Sequence, residues 1–379
     1  MTSYIPFNKP YLAGKELYYI AQSVLSGHTS GDGSFSKKCQ KLFEDTFSAQ
    51  KVLLTTSCTS ALEMAAMLCD VQAGDEVIFP SYTFVSTVNA FVLRGVKPVF
   101  IDIRADTKNI NESLIEAAIN ERTKAIVPVH YAGVSCEMDT INQLAKNYGL
   151  YVIEDAAQGV NAKYKNQYLG TLGDMGTYSF HETKNFICGE GGALVINNAK
   201  FSERAEIVRE KGTNRRQSFR GQVDEYTWVD VGSSYVPSDL LAAFLYGQLE
   251  HLNEINQRRE FIYNSYYNAL KPLADDGLIE LPVIPAHCES NYLMFYILLK
   301  DVQQRTDLII HLKQQNIHAV FHYVPLHRSP MSEQLGYEQG MLPITEDISE
   351  RLLRLPFYYE LSEADIELIT KEIFNFFVV

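Results

Sequence analysis

Between about residues 50 and 200, short apolar runs alternate with stretches of helical spacing. "KVLLT" (51–55) precedes "SCTSALEMAAMLCD", in which Leu62, Ala65, Ala66 and Cys69 recur at helical spacing. "EVIFP" (76–80) precedes "VSTVNAFVLRG", "KPVFID" (97–102) precedes "NESLIEAAINER", and "KAIVPVH" (124–130) leads to "MDTINQLAKNYG". "YVIED" (151–155) closes the series, and "GTYSF" (176–180) and "GALVIN" (192–197) read as two further strands. Strands alternating with helices of about 10–15 residues predict an α/β fold, with helices packed around a mainly parallel sheet. Such sheets present ligands at the carboxyl ends of their strands.

After residue 235 the texture changes. "SDLLAAFLYGQLEHLNEINQRREFIYNSYYNAL" predicts one unbroken helix from Ser238 to about Leu270 that carries the chain out of its first domain. Strand-like "NYLMFYILL" (291–299), a helix near 304–315, strand-like "HAVFHYV" (318–324) and a last helix from about Ser362 follow. They predict a smaller α+β domain. The expected division is a large domain over residues 1–250 and a small C-terminal domain over residues 251–379. The first ~30 residues are candidates to pack on the small domain.

With 379 residues, 46% of them hydrophobic and 21% charged, the chain can bury a core without disulfides. Its six cysteines form no CxxC pair and no metal-ligand spacing, so free thiols in a reducing cytoplasm are expected. The opening "MTSYIPFNKPYLAGKE" lacks the basic-then-apolar pattern of a secretory leader. No apolar run approaches the ~18 residues of a spanning helix. A net charge of −13 without a basic tract argues against nucleic acid and anionic membranes as partners. One local gathering of positive charge, "EKGTNRRQSFRG", carries Lys211, Arg215, Arg216 and Arg220.

The strand ends offer specific chemistry. Asp155 ends an apolar strand, where a carboxylate is costly without a partner. Ser57, Cys58 and Thr59 open a helix, whose free N–H groups and dipole favour an anion such as a phosphate. Phe84 follows "PSYT" and can lay a ring beside a flat ligand. Lys184 lies in "SFHETKNFICGEGG", between a strand-like run and a glycine turn expected to leave room for a ligand beside the backbone. An amine, a buried carboxylate and a phosphate-binding helix start match the needs of pyridoxal phosphate. Each feature alone has an ordinary reading as an N-cap, a core ring, a surface lysine or a tight turn. Their combination in this order carries the expectation. "GTLGDMG" lacks the spacing of a dinucleotide loop and carries no weight, and no metal-ligand cluster is visible.

These motifs occur in one order with "IPFNKPYLAGKE", "DEVIFPSYTFVSTVNAF", "VPVHYAGVSCEMD", "VIEDAAQG", "FHYVPLH" and "LRLPFYY". The whole chain thereby resembles the sugar aminotransferases of the DegT/DnrJ/EryC1/StrS family, within the aspartate aminotransferase fold (fold type I). The resemblance implies that Lys184 carries pyridoxal 5'-phosphate covalently and shuttles a proton, while Asp155 keeps the ring nitrogen protonated. Gln158 is implied near the ring hydroxyl, Phe84 against the ring face, and Cys58, Thr59 and Ser179 at the phosphate. Relatives carry a "GxNYR" motif whose Asn reaches the neighbouring subunit's cofactor. The matching "GSSYV" places Ser234 there, with a shorter reach. A homodimer with shared active sites is expected, with L-glutamate and a dTDP-keto-sugar as substrates. His327 matches a position near the sugar, and Arg215 and Arg220 are candidates for the sugar nucleotide's diphosphate. His130 and His322 are expected to be structural. Lys184 argues against the related dehydratases, which hold histidine at the lysine position. The alternatives are an aminotransferase acting at C3 or on a UDP or GDP sugar, and a non-catalytic, regulatory binder of the same cofactor.

Overall fold

The structure, a computed structural model, describes residues 4–378. Seven strands form the main sheet: β1 (Lys51–Thr55), β2 (Glu76–Pro80), β3 (Lys97–Ile101), β4 (Thr123–Ile126), β5 (Tyr151–Asp155), β6 (Met175–Ser179) and β7 (Gly192–Ile196). Their spatial order is β1-β7-β6-β5-β4-β2-β3. β3, β2, β4, β5 and β6 pair in parallel, whereas β7 runs antiparallel to both β1 and β6. Apolar residues line both faces because helices cover both. Alternation along each strand sorts the side chains: Val52, Leu54, Ile78 and Val152 enter one core, and Leu53, Val77, Phe79 and Ile153 enter the other.

A third core is built by Ile262, Tyr266, Leu270, Phe295, Ile297, Leu308, Leu312, Leu353 and Ile369. Its two-stranded sheet pairs Tyr296–Leu298 with Leu352–Arg354, packed by the helices Leu252–Asp275, Val302–Gln314 and Glu363–Val378. The N-terminal segment divides between the cores. Ile5 bridges to Ile317 and joins the third core. The helix Glu16–Leu25 packs on the helix Asp239–Leu249, with Tyr19 and Tyr246 ring centroids 5.3 Å apart.

The unbroken helix predicted over 238–270 is in fact two, Asp239–Leu249 and Leu252–Asp275, broken at His251 (φ −112°, ψ 21°). No breaker residue is needed. The first helix buries Ala242, Ala243 and Leu245 in one core and the second buries Ile262 and Tyr266 in another, so tertiary demand overrides propensity. "NYLMFYILL" pairs only over Tyr296–Leu298. Tyr292 takes a left-handed φ of 50°, and the carbonyls of Tyr292 and Leu293 accept from Arg259 rather than from a strand. "HAVFHYV" contributes one bridge, Val320 to Arg354. The helices Glu16–Leu25 and Ser34–Phe47 precede the region where the alternation was legible.

β5 ends in two consecutive buried carboxylates, which alternate onto opposite faces. Glu154 is fully buried, and accepts the N–H groups of Gly170 (2.8 Å), Leu172 (2.6 Å) and Gly173 (2.6 Å). His130 Nε2 lies 2.9 Å from the same carboxylate. The glycine loop "GTLGDMG" therefore cradles an internal carboxylate. Glu154→Ala strips an acceptor from three N–H groups at once. Chemical denaturation should show a loss of about 3–5 kcal/mol, and a change within measurement error would refute this account of the loop.

Candidate active site

A cavity of about 630 Å³ opens beyond the carboxyl ends of β1, β2, β5 and β6. It brings together Cys58, Thr59, Phe84, Asp155, Gln158, Ser179 and Lys184.

The helix Cys58–Leu68 starts directly after β1. Ser57 caps it, its Oγ accepting the Ser60 N–H at 3.0 Å. The N–H groups of Cys58 and Thr59 lie in the first turn, which has no intrahelical acceptors, so they form an anion cup. Thr59 Oγ1 is fixed on Ser86 Oγ at 2.9 Å. Phe84 caps the next helix, Val85–Val92, and keeps 57% of its surface open beside the cavity.

Asp155 is buried but only partly satisfied. Oδ2 accepts from Thr87 Oγ1 at 2.6 Å and Oδ1 from the Ala157 N–H at 3.1 Å. Thr87 is itself held 2.8 Å from Thr83 Oγ1. One donor on each oxygen leaves the carboxylate able to take a further N–H donor from the cavity. Gln158 is tied down at both ends, its Oε1 accepting the Ala132 N–H (2.7 Å) and its Nε2 donating to the Tyr323 hydroxyl (2.9 Å).

β6 and β7 are the arms of a hairpin, with Ser179 opposite Gly192. Phe180 and Gly191, and Glu182 and Gly189, close its loop through backbone hydrogen bonds of 2.8 and 3.0 Å. Lys184 sits at the loop's tip. Its neighbour Asn185 donates to the Asn291 carbonyl (2.7 Å), and Asn291 Nδ2 donates to the carbonyls of Gln158 and Val160. The lysine loop is thus clamped to the segment that follows Asp155. No hydrogen bond or ion pair engages the Lys184 amine among the described residues. Burial pulls its pKa below the ordinary lysine value, against the opposing pull of Cys58 and Asp155. Burial also pushes the Cys58 thiol up, so it stays protonated.

Of the glycine turn expected to leave room for a ligand, Gly191 lines the cavity, but Gly192 faces the protein itself. A Cβ there would overlap the carbonyl carbon of Ser57 and the nitrogen of Cys58. The space it vacates is filled by the start of the anion-cup helix.

Several residues singled out in the sequence lie outside this cavity. His327 is a correction: it is fully buried, with Nδ1 2.7 Å from Ser81 Oγ and Nε2 2.9 Å from Glu346, so it joins two segments instead of facing a sugar. Arg220 is exposed and pairs with Glu206 at 2.8 Å. Arg216 in the same loop pairs with Asp32. Arg215 is exposed and lies over the Phe219 ring at 5.0 Å. Ser234 is exposed, bridged to Glu210. His130 is structural as expected, its Nδ1 accepting the Cys136 N–H at 3.1 Å. His322 instead lines the cavity, stacked on Tyr323 at 3.7 Å, and burial drives its pKa well down, keeping it neutral. Thr87, Tyr323, Asn291 and Arg354 have no local sequence signal, because chain segments far apart bring them here.

These donors fit pyridoxal phosphate: an unengaged amine, a half-satisfied carboxylate and unbonded N–H groups at a helix start. The comparisons agree. Residues 10–374 match the model of the DegT/DnrJ/EryC1/StrS aminotransferase family, and the chain belongs to that family. It is 33% identical over 374 residues to the spore coat polysaccharide biosynthesis protein SpsC of Bacillus subtilis, covering 96% of this chain and 95% of that one. Spr1654 of Streptococcus pneumoniae in its PLP form superposes with a TM-score of 0.90 at 25% identity, covering 99% and 98% of the two chains. PseC of Helicobacter pylori, an aminotransferase in pseudoaminic acid biosynthesis, superposes at 0.91 with 25% identity over 99% and 100%. Pyridoxal phosphate is the cofactor of the family.

Two outcomes test this geometry. Gly192→Ala must push Ser57 and Cys58 aside, so an absorbance titration should show cofactor affinity falling roughly 10-fold; undiminished affinity would dissociate the cup from β7. In the cofactor-free protein, Lys184→Met should raise stability. With the folded pKa below 10.5, the unfolded chain binds more protons between the two values, so wild-type stability rises with pH there. The variant's advantage is therefore largest at low pH and shrinks as pH approaches 10.5, which melting curves across pH will show or refute.

Proposed function

We propose that this aminotransferase moves the amino group of L-glutamate to C4 of dTDP-4-dehydro-6-deoxy-D-glucose. The product is then dTDP-4-amino-4,6-dideoxy-D-galactose, made in the cytoplasm for a bacterial surface polysaccharide such as enterobacterial common antigen. The observation that carries the reaction class is Lys184, unpaired at the wall of a cavity shared with Asp155 and the Cys58–Thr59 helix start. The sugar is supported by the resemblance of "SCTSALEMAA", "SFHETKN", "FRGQVDEYTW" and "VGSSY" to dTDP-4-amino-4,6-dideoxygalactose transaminase. The polysaccharide role is supported by SpsC, whose name places it in spore coat polysaccharide biosynthesis.

When bound, pyridoxal phosphate supplies an electron-withdrawing ring that stabilises negative charge at the carbon losing its proton. Cys58 and Thr59 N–H groups, with Ser179, would hold the phosphate, and Phe84 would cover one ring face. Asp155 would hold a proton on the ring nitrogen, and Thr87 fixes the carboxylate for that task. Lys184 Nζ would take a proton from Cα of the donor and return one to C4 of the sugar. A single amine serving both half-reactions implies ping-pong kinetics. Desolvation, which lowers the amine's pKa, favours the neutral form this base needs.

A homodimer is part of the proposal. Phe219 and Trp228 are 72% and 78% exposed on the segment that also bears Arg215 and Ser234. This apolar face suits a second copy, and it would leave Arg215 and Ser234 available to the partner's cavity.

The test is a panel of keto-sugar nucleotides assayed with L-glutamate. The dTDP-4-keto sugar should give the highest kcat/KM, and Lys184→Ala should abolish transfer. A 3-keto, UDP or GDP sugar turning over faster would replace the substrate while leaving the reaction class. Absorbance unmoved by L-glutamate would favour the non-catalytic binder.

A further inference from the structure

The carboxylate of Asp155 is reached by a chain of two hydroxyls. Thr83, Thr87 and Asp155 are all buried, with Thr83 Oγ1 2.8 Å from Thr87 Oγ1 and Thr87 Oγ1 2.6 Å from Asp155 Oδ2. Counting protons fixes the direction of the chain. A threonine hydroxyl has one proton to give, and a carboxylate only accepts, so the Thr87 proton is spent on Asp155. Between the two hydroxyls the donor is therefore Thr83. This is the one hydrogen bond of the Thr83 side chain among the described residues. A buried hydroxyl costs more than the methyl of an isosteric valine unless its hydrogen bond contributes. The setting shows the contribution. Thr87 lies in the first turn of the helix Val85–Val92. A helical threonine divides between rotamers, because its hydroxyl can instead bond the carbonyls three and four residues back. The proton received from Thr83 engages a lone pair of Thr87 Oγ1 and holds it in the rotamer that faces Asp155. One residue earlier, Ser86 Oγ accepts from Thr59 Oγ1 of the anion cup at 2.9 Å. One helical turn thus sets the spacing between the cup and the carboxylate.

We propose that Thr83 is a positioning residue, acting through Thr87 to hold the Asp155 carboxylate against the ring nitrogen of the cofactor and keep the proton on that nitrogen. The inference rests on the aminotransferase reading and adds to it a residue that works at one remove from the cofactor. Hydroxyls in series polarise one another, so Thr87 is a stronger donor with Thr83 behind it than without. A donor on Oδ2 favours the charged carboxylate, which leaves the shared proton on the ring rather than on Asp155. The other oxygen, Oδ1, takes its donor from the Ala157 backbone and does not depend on the chain of hydroxyls. Removing the Thr83 hydroxyl therefore loosens one oxygen and leaves the second in place. Threonine suits both positions of the chain, since a branched side chain gives up little freedom at χ1 when its hydroxyl is fixed.

The experiment uses the full chain loaded with pyridoxal phosphate isotopically labelled at its ring nitrogen. It compares the wild type with Thr83→Val, Thr87→Val and the two together. The NMR signal of the labelled nitrogen, followed across pH, reports where its proton lies and needs no turnover. In Thr83→Val the ring nitrogen should lose its proton at a pH about 1 lower. The half-reaction with L-glutamate should lose kcat roughly 10-fold while KM for L-glutamate holds. Thr83→Ser, which returns the hydroxyl, should recover most of both. In the Thr87→Val background, adding Thr83→Val should change neither, because the chain is already cut. Lys184, Cys58 and Tyr323, the titratable groups whose charge acts with Asp155, are the same in every variant. A nitrogen signal and kcat unchanged in Thr83→Val would overturn the proposal. So would an equal loss with and without the Thr87 hydroxyl, which would make Thr83 a direct contact, or a loss confined to KM. If the wild type transfers no amine from L-glutamate, the aminotransferase reading fails, and the nitrogen titration still decides the role of Thr83. If Thr83→Val loses its fold by circular dichroism, Thr83→Ala carries the same comparison.

Discussion

Two consecutive carboxylates at the end of one buried strand impose the constraint on which this site depends. A strand alternates its side chains, so Glu154 and Asp155 must be satisfied on opposite faces of the sheet. Glu154 takes three backbone N–H groups and faces His130, and that face is closed. Asp155 takes one N–H and one hydroxyl and stays open to the cavity. The same chemical group is structural at one position and available at the next, and only the count of donors separates the two.

What surrounds Asp155 is fixed by close approach. β7 can lie against the start of the Cys58–Leu68 helix only because Gly192 has no side chain. Its register with β6 brings the lysine loop over the same strand ends. Asn185 and Asn291 then tie that loop to the chain after Asp155. The amine, the carboxylate and the anion cup come from three separate segments, held in one geometry by backbone and asparagine contacts rather than by each other. An active site built this way keeps its shape when no ligand joins the three groups, which is the preorganisation catalysis requires.

Local order was legible where it depended on period and punctuation. The apolar runs of β1, β2, β5, β6 and β7 each lie within a residue of the predicted strands. Cys58, Thr59, Phe84 and Asp155 could be singled out because each sits at a strand end or helix start, Lys184 by its place before a glycine turn, and Gln158 and Ser179 only through the family resemblance. Non-local demands were not legible. The break at His251 arises because two cores claim successive helices. His327 looked available in "PLH", yet Ser81 and Glu346, both distant in sequence, occupy its two nitrogens. The glycine turn looked like room for a ligand; Gly191 does line the cavity, but at Gly192 the occupant is the protein's own backbone.

Charge shows the same division most sharply. Counting basic residues along the chain points to the 211–220 loop, where four cations fall within ten positions. In the fold, Arg216 and Arg220 are answered by Asp32 and Glu206, so much of that density cancels internally. Arg354 stands in an apolar stretch, "LRLPFYY", with nothing to distinguish it in sequence, yet no carboxylate answers it among the described residues. For a protein with a net charge of −13, the capacity to hold anions is set by the cations that folding leaves unpaired, and not by the number the sequence supplies. A helix start and a single guanidinium therefore give this acidic molecule a cavity with positive charge in its walls.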